Sequence, residues 1–194
     1  MYLISHRCNL NGVESENENN PKYLKIAINK EFNVEVDIRF EKEKFNEKKF
    51  NKFCKTDKSE DLQGSHLAPH LVHKKLWKKV GGFSEEFNPG DGSDPDFCMK
   101  LWINKVKIFK TISKFKVYHF SSITTRKRNV ILNNGTKTFI LKFGFNPRFF
   151  RKYYLKSNGS NPFNGKLVYP KMNFKMLFEY LVNKVKFFYF KITN

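Results

Sequence analysis

The chain has 194 residues, 40% of them apolar and 22 of them Phe, with 37 Lys and Arg against 18 Asp and Glu for a formal charge of +19. This length and apolar content predict a folded domain with a real core and exclude a disordered segment. No run approaches the roughly 18 apolar residues that cross a bilayer. The charge points to an anionic partner such as nucleic acid, a membrane face or a phosphate-bearing substrate. Dispersed Lys alongside abundant Asn, Phe and Ile is equally what A/T-rich codons produce, so charge alone does not name the partner.

Cys8, Cys54 and Cys98 lie far apart without a C-x-x-C spacing and read as reduced thiols of a cytosolic protein. The opening residues lack the basic stretch and apolar core of a secretion signal. The N-x-S/T sequons at Asn134 and Asn158 therefore carry no weight.

In chain order, YLISHR (2–7) reads as a short strand and GVESENENNPK as a polar loop. YLKIAI is extended, and so is FNVEVDIRF, by its alternating Val34, Val36 and Ile38. EKEKFNEKKFNKFC is a charged helix with a thin stripe of Phe45, Phe50 and Phe53, and DLQGSHLAP is turn and strand. Pro69 opens a helix, PHLVHKKLWKKV, that Gly81 and Gly82 close. DFCMKLWINK is the next helix, and VKIFK and FKVYHF are two strands about a turn at Ser113.

The basic loop SSITTRKRN leads to a helix ending near Gly144, and Asn146 and Pro147 start another as N-cap and first helical residue. Residues 173–192 close the chain as a basic, Phe-rich amphipathic helix, suited to core or partner packing and, by its Lys flank, to a membrane surface. The predicted class is mixed α/β without internal repeats.

The chemistry concentrates in KKVGGFSEEFNPGDGSDPDFCMKLW, residues 78–102, where a basic chain gathers its carboxylates. Asp94 and Asp96 flank Pro95 in a D-x-D pattern. A metal-binding D-x-D ends an apolar strand, whereas this one follows a turn and opens a helix. Asp94 then falls at the N-cap and Pro95 at the first helical position. His66, His70 and His73 have helical spacing, but Pro69 interrupts them and no Cys or carboxylate joins, which speaks against a metal face.

Taken with the later VYHF, this region resembles the acceptor-side half of family-2 glycosyltransferases of the GT-A fold. Gly81-Gly82-Phe83-Ser84-Glu85 is similar to the family's GGFDE, with Ser84 for Asp. Ser93-Asp94 is similar to its ED pair, with Ser for Glu, and His119 ends the later strand. The match spans residues 62–126, and the resemblance divides the chain into a partial GT-A-like domain, 1–126, and a helical C-terminal extension, 127–194.

The resemblance implies a hexosyltransferase-like enzyme moving sugar from a nucleotide-sugar donor to a glycan or lipid-linked acceptor. Asp94 is the implied general base, taking the proton of the attacking hydroxyl. Asp96 orients the loop or contacts acceptor hydroxyls beside Gly92 and Ser93. His119 meets a divalent metal, Mn²⁺ or Mg²⁺, or the diphosphate, and Arg126 and Lys127 close over that diphosphate. The implied location is cytoplasmic and peripheral to the inner membrane face. Only about 60 residues precede the match and none of their strands ends in D-x-D. The expectation is a fragment, a remnant or one half of a split enzyme, with the metal required only in the complete one. The alternatives are a GT-like pseudoenzyme or a non-catalytic basic module for nucleic acid or membrane. Dispersed Lys and Phe at core spacing disfavour specific nucleic-acid binding.

Overall fold

The computed structural model describes residues 2–5, 13–14, 23–28, 34–39, 47–64, 69–89, 91–116, 133–157 and 161–193, with the strands before residue 40 given by backbone alone. Helix and strand are mixed. The chain divides into two compact units, one of Met1–His6, Glu60–Ser113 and Ile131–Asn194, the other of Arg7–Ser59 and Lys114–Val130.

Strand β1 (Tyr2–Ser5) belongs to the first unit. The second unit holds β2 (Val13–Glu14), β3 (Tyr23–Ile28), β4 (Val34–Arg39) and α1 (Glu47–Thr56). Its three strands form an antiparallel meander in the order β2-β3-β4, with Leu24 opposite Ile38 and Ile26 opposite Val36. The alternation that predicts β4 sets this register. β2 was expected to be loop; its two residues are extended because Val13 and Glu14 pair with Ile26 and Lys25. Beyond α1, Lys116 pairs with Asp57 at 2.5 Å. Burial works against the Asp57 carboxylate, but hydrogen bonds from Lys116 and Ser59 hold its pKa below the ordinary value.

The first unit adds β5 (Leu62–Gln63), β6 (His70–Val72), α2 (Lys74–Val80), α3 (Ser93–Ile103) and β7 (Ile108–Thr111). Its later helices are α4 (Gly135–Phe143), α5 and α6 (Phe174–Ile192). α5 starts as α-helix at Pro147–Phe149 and continues as π-helix over Phe150–Leu155. The sheet order is β5-β7-β1-β6, with β1 parallel to β7 and antiparallel to β6. Pro69 does not open a helix. His70–Val72 pairs with β1 instead, and the helix begins after His73, whose Nδ1 accepts the Lys75 N–H at 3.1 Å as N-cap. Of the strand expected at FKVYHF, Phe115 and Lys116 are described and belong to no strand, and the remaining residues lie outside the described ones.

One aromatic core joins α3 to the C-terminal helices. Trp102 of α3 lies edge-on to Phe150 and Tyr154 of α5, with ring centroids 6.4 and 5.4 Å apart. Phe139 of α4 and Phe149 of α5 are buried in the same cluster. Asn146 caps α5 as expected, accepting the Phe149 N–H at 2.8 Å with Pro147 at the first position. α6 docks through a buried Asn183, which accepts the Asn146 N–H at 2.9 Å and donates to the Glu179 carbonyl at 2.7 Å. Residues 131–194 thus share a compact unit with α3.

Candidate active site

The Gly-Gly pair does two different jobs. Gly81 ends α2 in the left-handed conformation, φ 73°, which a glycine adopts without a Cβ penalty. Gly82, φ 62°, lies so close to Trp77 that a Cβ there would meet its ring at 2.7 Å. The chain then delivers Phe83 into an aromatic group, 5.2 Å from both Trp77 and Phe97, while His70 stacks on Phe97 at 5.5 Å. Phe97 is fully buried in α3, so GGF is pinned directly to the helix that carries the two aspartates.

Ser84 follows, then a single 3₁₀ turn, Glu85–Phe87. α3 starts two residues earlier than expected. Gly92, φ 98°, is the N-cap, Ser93 the first helical residue and Asp94 the second, so Asp94 is not the cap. The reversal needs a positive φ, and a Cβ at Gly92 would meet the Phe87 ring at 2.7 Å. Pro95 is tolerated because the first N–H groups of a helix have no intrahelical partner. The Asp96 N–H is the one that closes the turn, on the Gly92 carbonyl at 3.0 Å.

Residues two apart on a helix are separated by about 200°. Asp96 accordingly turns inward with 0% of its surface exposed, while Asp94 stays half-buried in the first turn. The Ser84 hydroxyl donates to Asp96 Oδ2 at 2.6 Å, and Lys142 Nζ, from α4, pairs with Oδ1 at 2.7 Å. Lys100, one turn along α3, lies 3.5 Å from Asp96 and donates to the Ser84 hydroxyl and the Gly82 carbonyl at 2.8 and 2.7 Å. Lys142 also binds Glu86 at 2.6 Å. Burial works against the Lys142 ammonium, but its hydrogen bonds to Asp96 and Glu86 outweigh that and raise its pKa. The same bond lowers that of Glu86. Burial first, then the Asp94 and Asp96 carboxylates, push the Cys98 thiol well above its ordinary value, which leaves it inert as a nucleophile.

The far side of the loop is clasped by the start of α4. The Asn133 N–H donates to the Pro89 carbonyl at 2.8 Å and its side-chain amide to the Glu86 carbonyl at 3.0 Å. A Cβ on Gly135 would fall 1.9 Å from the Asp91 carbonyl oxygen, so only glycine permits this approach. The loop is therefore fixed at both ends by groups outside it.

Of the residues expected at the site, Gly92, Ser93, Asp94 and Asp96 come together at the start of α3. Asp96, expected to orient the loop or contact the acceptor, is buried against Ser84 of the turn and Lys142 of α4. His119, Arg126 and Lys127 lie outside the described residues. Lys100, Lys142 and Glu86 were not expected. Lys100 was legible as the residue four after Asp96; Lys142 sits on a separate helix and had no local signal. A divalent cation does not fit the Asp94–Asp96 pair, because Asp96 already faces two ammonium groups. Among the described residues no three His, Cys, Asp or Glu side chains gather as a metal site. Compared with known proteins, the chain matches no family model, no curated protein and no solved structure.

Proposed function

We propose that the chain carries the acceptor-side half of a family-2-like glycosyltransferase of GT-A type. It transfers a hexose from a nucleotide-sugar donor to a glycan or lipid-linked acceptor at the cytoplasmic face of a membrane. The observation that most supports this reading is the placement of Asp94 in the first turn of α3, half-buried and preceded by Gly92 and Ser93, on a helix start that the GGFSEEF turn packs against. Asp96 is spent on Ser84, Lys100 and Lys142, which holds the GGFSEEF turn against α3. Asp94, two positions before it, is half-buried in the first turn of the same helix.

In this reading the Asp94 carboxylate takes the proton of the acceptor hydroxyl as its oxygen bonds to the anomeric carbon. The bond from that carbon to the diphosphate breaks, and the nucleoside diphosphate leaves with the electron pair. Gly92 and Ser93 flank the base, whereas His119, Arg126 and Lys127 belong to the donor side. In this reading the donor is held by a nucleotide-binding half of the family-2 type. The residues at α3 give no step that passes through a metal.

The test supplies a family-2 nucleotide-binding half as a second chain or fusion and follows labelled hexose from nucleotide sugars into membrane lipid and glycan. Transfer is expected. Asp94→Asn should lower its rate by on the order of 10² to 10⁴, the usual contribution of a general base, in a protein that still folds. Absence of transfer, or full activity in a folded Asp94→Asn protein, overturns the assignment.

A further inference from the structure

α6 has its apolar residues on the wrong side for a core helix. Met176 and Asn183 face the protein and are buried, yet the opposite face is apolar too. At 3.6 residues per turn, Phe174, Phe178, Leu181, Val185, Phe188 and Ile192 fall within an arc of about 80°. All six are exposed, Phe174 by 86%, Val185 by 69% and Ile192 by 84%. Lysines border this strip on both sides, Lys175 and Lys186 along one edge, Lys184 and Lys191 along the other. Nineteen residues make the strip about 28 Å long.

From this pattern we infer that the outer face of α6 docks on an anionic lipid surface, with the helix lying in the plane of the membrane. An apolar strip between two rows of lysines matches that boundary, since the strip enters the acyl region while the ammonium groups stay at the headgroups. Charge complementarity selects this occupant over a second copy of the chain. Two such faces together would set lysine rows against lysine rows in proteins of formal charge +19. The one acidic residue of α6, Glu179, is engaged by Lys152. The α6 strip stands apart from the chemistry assigned to Asp94 and does not depend on it.

The test is sedimentation of the full chain with vesicles of phosphatidylcholine alone and of phosphatidylcholine mixed with phosphatidylglycerol, at physiological ionic strength. Binding to the mixed vesicles is expected, with little to the neutral ones. Phe178→Gln combined with Val185→Gln keeps the charge and should weaken binding roughly ten-fold or more, with melting unchanged. Asp94→Asn should bind as the parent does, so the two proposals fail separately. Equal binding by the double-Gln protein would show attraction by bulk charge alone and overturn the inference. So would indifference to phosphatidylglycerol, no binding at all, or a lipid-free dimer that the double substitution dissociates.

Discussion

Replacing Lys142 by Met keeps the length and apolar stem of the side chain and removes only its ammonium group. The Asp96 carboxylate would lose its 2.7 Å partner while remaining 0% exposed. Removing one partner of a buried pair costs about 3–5 kcal/mol, most of it the penalty of an uncompensated charge. Asp96 would keep the Ser84 hydroxyl at 2.6 Å and Lys100 at 3.5 Å, which places the loss at the lower end, about 3 kcal/mol. In a chain of this size that lowers Tm by about 6–12 °C. Asp96→Asn is the informative counterpart. It leaves Lys142 29% exposed and still bonded to Glu86, and should cost about 1 kcal/mol. Lys142→Met with Asp96→Asn should then melt above Lys142→Met alone, because the stranded charge is gone. Both tryptophans, Trp77 and Trp102, lie in this unit, so intrinsic fluorescence follows its melting. A Lys142→Met protein melting within about 2 °C of the parent would refute the reasoning.

Gly135→Ala should cost about 3 kcal/mol or more, since its Cβ would meet the Asp91 backbone at 1.9 Å and push α4 off the loop. Gly81→Ala meets nothing within 4 Å and should cost only the left-handed strain of about 1–2 kcal/mol; equal melting of the two variants would contradict this. Burial works against the Asp61 carboxylate, but hydrogen bonds from Lys110 and the Ser113 N–H hold its pKa below the ordinary 3.8. Its folded value is below its unfolded one, so its stabilisation is present above that value and is lost as pH falls through the folded value. Asp61→Asn should therefore flatten the acid limb of a fluorescence-monitored Tm–pH profile, and an unchanged limb would assign acid sensitivity elsewhere.

Elements that obey local rules were legible in the sequence. The alternation of Val34, Val36 and Ile38, the Asn146-Pro147 start and the Gly144 stop each name their own structure. What escaped was set by distant partners. His70–Val72 continues an apolar-helical pattern into α2, yet its backbone is claimed by pairing with β1. The start of α3 departs from the local pattern because Asp94-Pro95 is a good cap pair, while Gly92 offers a φ of 98° that aspartate adopts less readily. Lys142 reaches Asp96 only through the clasp of Gly135 on Asp91, a contact between segments that no local pattern encodes.

The pattern Asp-x-Asp carries opposite meanings on different backbones. On a strand, residues two apart share a face, so both carboxylates can reach one cation. On α3 the same spacing turns them about 200° apart, and the two aspartates enter different surroundings. The interior one needs compensation, and its setting supplies it evenly: Lys100 and Lys142 stand against Asp96 and Glu86, with the Ser84 hydroxyl as a neutral donor between them. An aspartate at position 84, as in the family pattern that this stretch resembles, would add a third carboxylate to two ammonium groups. A hydroxyl there donates to Asp96 where a carboxylate would repel it. The hydroxyl at Ser84 thus keeps the turn locked to α3, the helix whose first turn carries Asp94.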